Sequence, residues 1–246
     1  MGNSKCLNCN SEIENNFCSI CGQKTTTHRF SLKHFVVHDF IHGVFHLDKG
    51  FLFTIKELFT RPGHSIREYI QGKRVQYFNY FTLFLILLGI NHFVQNYSSV
   101  NNVELYGKEI VSGYMTLAEN YYKVLKFISI PFWACVVYLF FRKSKQNYLE
   151  MLILCMYMMC GMLIIYLVFE IFLIICNDLS VLKAIKRIID FFTVVYFFWF
   201  IYQYFSVFYY KKYSLIVRSL VCTILIILLQ WFVLNTINNI GKMYFH

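Results

Sequence analysis

Hydrophobic and polar positions change regime along this chain of 246 residues. The first stretch, residues 1–25, is polar and has no apolar run. From Phe30 to Leu47 apolar residues recur with a helical period. At about 100° per residue, Phe30, Val36, Val37, Phe40, Ile41, Val44 and Phe45 fall on one face. His34, His38, His42 and His46 wind around the other side. Asp48 is placed to cap a second helix ending near Thr60, with Phe51, Leu52, Ile55, Leu58 and Phe59 on its apolar side. Arg61-Pro62-Gly63 interrupts it. Ser65 and Glu68 have the spacing of a capping box. That predicts a third short helix with Ile66, Tyr69 and Ile70 as its stripe and Gly72 as its C-cap.

From Phe78 onward the pattern becomes continuously apolar. Runs at about 78–97, 124–141, 150–176, 189–210 and 215–235 are each long enough to cross a hydrocarbon core about 30 Å thick. The pattern predicts an all-α polytopic membrane protein with about five transmembrane helices in residues 76–246. Interfacial amphipathic helices precede them in residues 29–75, after a small N-terminal zinc ribbon in residues 1–25. Lys126 and Pro131 in the second run predict a kink or a later start.

Composition agrees. Hydrophobic residues make up 58% and charged residues 15%, against about 45–50% apolar in soluble domains. The net charge of +10 fits lysines and arginines facing anionic lipid. No recognisable nucleic-acid module accompanies it, which argues against a nucleic-acid partner. Basic residues cluster before Phe78, at Arg142, Lys143 and Lys145, and at Lys211 and Lys212. The positive-inside rule then predicts a cytoplasmic N-terminus and an external C-terminus. A loop over 177–188, with Lys183, Lys186 and Arg187, runs against that topology. The N-terminus has no apolar core of a signal peptide, so the first span is expected to act as the insertion signal.

The clearest chemistry lies at residues 6–21, CLNCNSEIENNFCSIC. Each C-x2-C pair forms a knuckle that offers two thiolates to one ion. Cys6, Cys9, Cys18 and Cys21 together make a closed tetrahedral sulfur site, which suits structural zinc. Two disulfides, which need an oxidising compartment, an iron–sulfur cluster and labile redox thiols are the alternatives. Gly22 fits a tight turn after the second knuckle. Cys135, Cys155, Cys160, Cys176 and Cys222 sit in or beside apolar runs and read as small hydrophobes.

Three other polar groups stand out. His34/His38 and His42/His46 are four-residue pairs that suit a second metal site or pH sensing. A four-residue repeat drifts about 40° per step, so all four cannot reach one ion, and the plain reading is a polar–apolar boundary. Arg61, His64, Arg67, Lys73 and Arg74 suit a headgroup or phosphate site, or charge that anchors the interface. Glu170 is a carboxylate within an apolar run, with Lys126 or Arg218 as candidate partner. No nucleophile elbow, phosphate loop or H-E-x-x-H is present, and no catalytic residue is assigned.

The ribbon ending FCSICGQK, followed by HLDKGFLFTIKELFTRPGHSIREYIQGKRVQYFN and then by spans, resembles the bacterial domain-of-unknown-function family numbered 3667. The resemblance covers roughly residues 6–95. One detail departs: in the family a proline follows the aromatic-Asn or aromatic-Lys step before the first span, and here Tyr80 follows Phe78-Asn79. That family has no assigned activity, so the resemblance implies architecture and no reaction. A looser architectural similarity is to Yip1-like five-span proteins. The resulting expectation is a scaffold or adaptor whose cytosolic ribbon docks a protein partner. Transport of a small solute or ion is one alternative, and chemistry on lipid headgroups is another.

Overall fold

The computed structural model describes residues 5–13, 15–25, 29–30, 50–97 and 125–245. The histidine-bearing helix expected over 30–47, and its successor's cap Asp48, lie outside the described residues beyond Phe30. Helices follow in the order α1 (Gly50–Thr60), α2 (Pro62–Ile70) and α3 (Tyr80–Gln95), then α4 (Leu125–Phe140). A short 3-10 turn, Arg142–Ser144, leads to α5 (Tyr148–Ile175), α6 (Leu179–Phe205) and α7 (Lys212–Phe245). Among the described residues there is no strand; isolated bridges between Lys5 and Glu12 and between Phe17 and Lys24 brace the ribbon.

Capping side chains fix the starts of α3, α5 and α6. The Asn79 carboxamide accepts the Phe81 N–H at 2.9 Å and the Thr82 N–H at 3.3 Å. Asn147 and Glu150 form a reciprocal capping box at the head of α5. Asp178 accepts the Ser180 and Val181 amides at the head of α6. This last cap corrects the sequence reading. The expected loop over 177–188 is the first third of a helix, and Lys183, Lys186 and Arg187 lie on α6. Lys186 pairs with Asp190 at 2.6 Å, one turn along, so the charges interrupt the apolar run without ending the helix.

α2 also departs from expectation. Ser65 and Glu68 do not cap it. Pro62 opens the helix, and the Ser65 hydroxyl donates to the Pro62 carbonyl at 3.1 Å. Its end matches the reading of Gly72. The Lys73 N–H reaches the Glu68 carbonyl at 3.0 Å and the Gly72 N–H reaches that of Tyr69 at 3.1 Å. That Schellman closure needs Gly72 at φ +117°. Ile66, Tyr69 and Ile70 are buried as expected, but so are Pro62, Gly63, Ser65 and Arg67. The helix is therefore wedged between α6 and α5 and is not laid on a surface. α1 buries Thr54, Glu57 and Leu58, while Leu52 and Phe59 are exposed.

α5 is the hub. From Leu149 to Leu163 nearly every side chain is buried, five of them methionines whose pliable side chains fill irregular gaps. α3 packs along it most extensively, and α1, α2 and α6 also touch it. The Tyr157 hydroxyl donates to the Phe78 carbonyl at 2.6 Å, fixing the approach to α3. The Trp133 indole of α4 meets the Phe197 ring of α6 edge-on at 5.3 Å. Among the described residues, α5 and the Lys212–Val233 part of α7 are the two helices long and apolar enough to cross a membrane. α3 and α4 are apolar but shorter, and α6 carries the charges just described.

Candidate metal centre

The ribbon is built from two near-copies of one knuckle. In each, the amide after the second cysteine returns to the carbonyl of the first: Asn10 to Cys6 at 2.9 Å, and Gly22 to Cys18 at 2.8 Å. The first cysteine's amide then reaches the residue beyond, Cys6 to Ser11 and Cys18 to Gln23, both at 2.8 Å. The turn requires a left-handed residue in both copies, and Asn10 (φ 63°) and Gly22 (φ 74°) supply it. Asparagine and glycine are the residues that tolerate that conformation best. The glycine was legible as a turn signal; Asn10, in the matching position of the first copy, was missed.

These turns aim Cys6, Cys9, Cys18 and Cys21 at one point, with all four sulfurs within 4.8 Å of one another. Cys6 lies 3.5 Å from Cys21, and Cys9 3.5 Å from Cys18. Both are beyond disulfide length, about 2.05 Å. They approach the edge of a tetrahedron with metal–sulfur bonds of about 2.3 Å. The donor set therefore fits a metal ion. Ser11, which the motif does not flag, places its hydroxyl 3.0 Å from Cys9 Sγ and 3.1 Å from Cys18 Sγ. That hydroxyl, helped by knuckle amides, holds the Cys18 thiol down at about 6 and also lowers Cys9. Burial pushes Cys21 up to about 11. A lowered thiol supplies the thiolate that ligates metal at neutral pH.

The ribbon is seated on the bundle. The Gln23 side chain is buried; its Nε2 donates to the Gly72 carbonyl, and its Oε1 accepts the Arg74 N–H at 3.3 Å. Leu7, in the first knuckle, fills the space where Gly72 lacks a Cβ: a Cβ there would stand 2.8 Å from Leu7 Cδ1. Arg29 follows, donating to both oxygens of Glu150 at 2.5 and 2.8 Å and to the Lys145 carbonyl at 2.7 Å. Phe30 is buried beneath the Arg74 guanidinium, which stacks 3.8 Å from the ring centroid. Glu150 and Arg29 lie 121 positions apart, and no short-range pattern announces them.

The five basic residues read from the sequence each have a partner within the bundle. Arg61 pairs with Glu57 at 2.6 Å and Glu68 at 3.3 Å, and Lys73 also reaches Glu68 at 3.6 Å. Arg67 donates to the Gln203 and Tyr204 carbonyls at 3.2 and 3.1 Å, capping the end of α6. Its other nitrogen stands 2.9 Å from His64 Nδ1. Burial, with the Arg67 and Arg61 charges, holds His64 below the usual imidazole range, so the neutral ring accepts that bond. Arg74 covers Phe30. His34, His38, His42 and His46 lie outside the described residues.

Glu170 is buried in α5, and its Oε2 finds no hydrogen-bond partner among the described residues. Lys126 is the charge that acts on it. Arg218 lies elsewhere, donating to the Phe140 carbonyl at 2.6 Å.

The α1–α2–α3 segment, with its Pro-Gly junction and Schellman turn, is where the chain meets a known family. Residues 48–91 match the family described as Protein of unknown function (DUF3667). The DUF3667 match covers α1, α2 and most of α3, and the four cysteines precede it. No curated protein and no solved structure matches the chain.

Proposed function

We propose that this is a multi-pass membrane protein of the bacterial cytoplasmic membrane whose zinc ribbon serves as a docking module for a cytosolic protein. The observation that carries the reading is the orientation of the ribbon. Its bundle side is occupied by Leu7 and Gln23, whereas Phe17 and Ile20 of the second knuckle are 58% and 75% exposed. Two apolar side chains presented on a rigid, closed metal turn suit capture by a partner's pocket. Zinc fits four thiolates with no site left for water, which makes the ion structural. Thiols free to bind a metal ion favour a cytosolic ribbon in this reading. α5 then leaves that side and α6 returns to it, since Arg67 beside the ribbon platform holds the carbonyl end of α6. α7 departs again, which supports an external C-terminus. The short α3 and α4 complete a five-helix membrane domain in this reading, resting on anionic lipid.

Affinity capture from membranes, comparing wild type with a Phe17→Ser, Ile20→Ser double variant that keeps all four cysteines, tests it. A partner retained by wild type and lost by the variant is expected. Identical partner sets would remove the docking role.

Glu170 supports a second reading, transport of an ion or small solute. A carboxylate oxygen without a hydrogen-bond partner inside an apolar bundle is costly to keep. In proteoliposomes, Glu170→Gln is expected to abolish a cation or proton flux carried by wild type. Equal fluxes would end that reading.

A further inference from the structure

Gln23 stands two positions after Cys21, and the same knuckle turn that aims the sulfurs also aims this side chain. The Cys18 N–H holds the Gln23 carbonyl at 2.8 Å, and the Gly22 N–H holds that of Cys18 at 2.8 Å. The buried carboxamide is thereby presented to the C-terminal end of α2, where it satisfies the Gly72 carbonyl and the Arg74 N–H. Leu7, on the other knuckle, covers Gly72 from the same side. The two contacts come from opposite halves of the ribbon. Their spacing therefore exists only while both knuckles are held together.

We propose that metal in the four-cysteine site clamps the ribbon onto the bundle, with Gln23 as the coupling residue, and that loss of the metal releases it. The inference rests on the metal reading of the cysteines and is independent of any partner. A module this small has almost no core of its own, so ion binding supplies its folding free energy. Without the ion, weak contacts among the thiols and the Ser11 hydroxyl are what join the half that carries Leu7 to the half that carries Gln23. Release uncovers the end of α2 and removes the Leu7 wall of a cavity of about 280 Å³ that Arg29, Gln71, Gln146 and Glu150 also line. Arg29 and Phe30 stay behind, because their contacts with Glu150, Asn147 and Arg74 do not involve the ribbon. The clamp thus opens at one side of a fixed anchor and leaves the bundle closed.

The Arg74 amide reports the clamp directly, since it donates to Gln23. The Lys73 amide, bonded to Glu68 inside the Schellman turn, serves as internal reference. Hydrogen exchange at single-residue resolution is read on the full chain in nanodiscs, with zinc content measured in the same samples. Treatment with a zinc chelator is expected to accelerate Arg74 exchange about tenfold, the factor given by losing one ordinary hydrogen bond, while Lys73 changes little. Zn2+ added back reverses it. Gln23→Ala is expected to give the same acceleration with zinc still bound. Zinc removal that leaves Arg74 unchanged overturns the clamp. Wild type that holds no metal overturns it by a different route, through the metal reading itself.

Discussion

Glu150 does the work of three residues at the head of α5. Its Oε2 accepts the Asn147 N–H at 2.7 Å, and both oxygens take Arg29. The two partners are unequally exposed, with side chains open by 58% for Arg29 and 3% for Glu150. That inequality predicts an asymmetric mutational response. Glu150→Gln leaves an arginine that water can reach, so the cost is that of the lost charged hydrogen bonds, about 1.5–3 kcal/mol. Arg29→Ala leaves a nearly enclosed carboxylate with only the helix terminus to stabilise it, so the cost moves toward the roughly 3–5 kcal/mol of a broken buried pair. Unfolding in detergent micelles measures both. Equal losses would show that the carboxylate is hydrated after Arg29 is removed. Neither residue was legible beforehand, because each looks like an ordinary surface charge until the chain brings them together.

At the scale of elements, Gly63 decides how α2 enters the bundle. A Cβ at this position would lie 2.2 Å from the Tyr204 nitrogen and 2.5 Å from the Phe200 carbonyl oxygen. These are backbone atoms and cannot swing aside. Gly63→Ala is therefore expected to push α2 off α6, break the Arg67 contacts with Gln203 and Tyr204, and cost about 1–3 kcal/mol or more. Trypsin sensitivity after Arg67 checks this, and unchanged protection would count against the wedge. The Pro-Gly pair was readable as a break, yet its role as a close-packing joint was not. Periodicity told which residues of α2 are apolar. It could not tell that the polar side is buried too, since Arg67 is satisfied by carbonyls 136 and 137 positions away. The start of α6 was misplaced for a related reason: hydropathy stops at the Lys186–Asp190 pair, whereas the helix is held by a cap and an ion pair that hydropathy does not weigh.

Across the whole molecule, local signals proved readable and distant ones did not. The four-cysteine cluster was visible because two C-x2-C turns carry their own geometry. The seat of the ribbon was invisible because it joins residues 7 and 23 to residues 72 and 74, and the anchor beside it joins residue 29 to residue 150. That separation bears on how the protein is made. Translation at about 5–20 residues per second puts roughly 6–24 s between the emergence of Arg29 and of Glu150, 121 positions later. The wedge waits longer still, since Gly63 meets Gln203 across 140 positions. The ribbon, complete within its first two dozen residues, is thus free to take up its ion on the ribosome long before its platform exists. In the proposed reading, a nascent chain passes through a stage in which the module is folded, loaded and unattached, and only the arrival of the later helices gives it a place to rest.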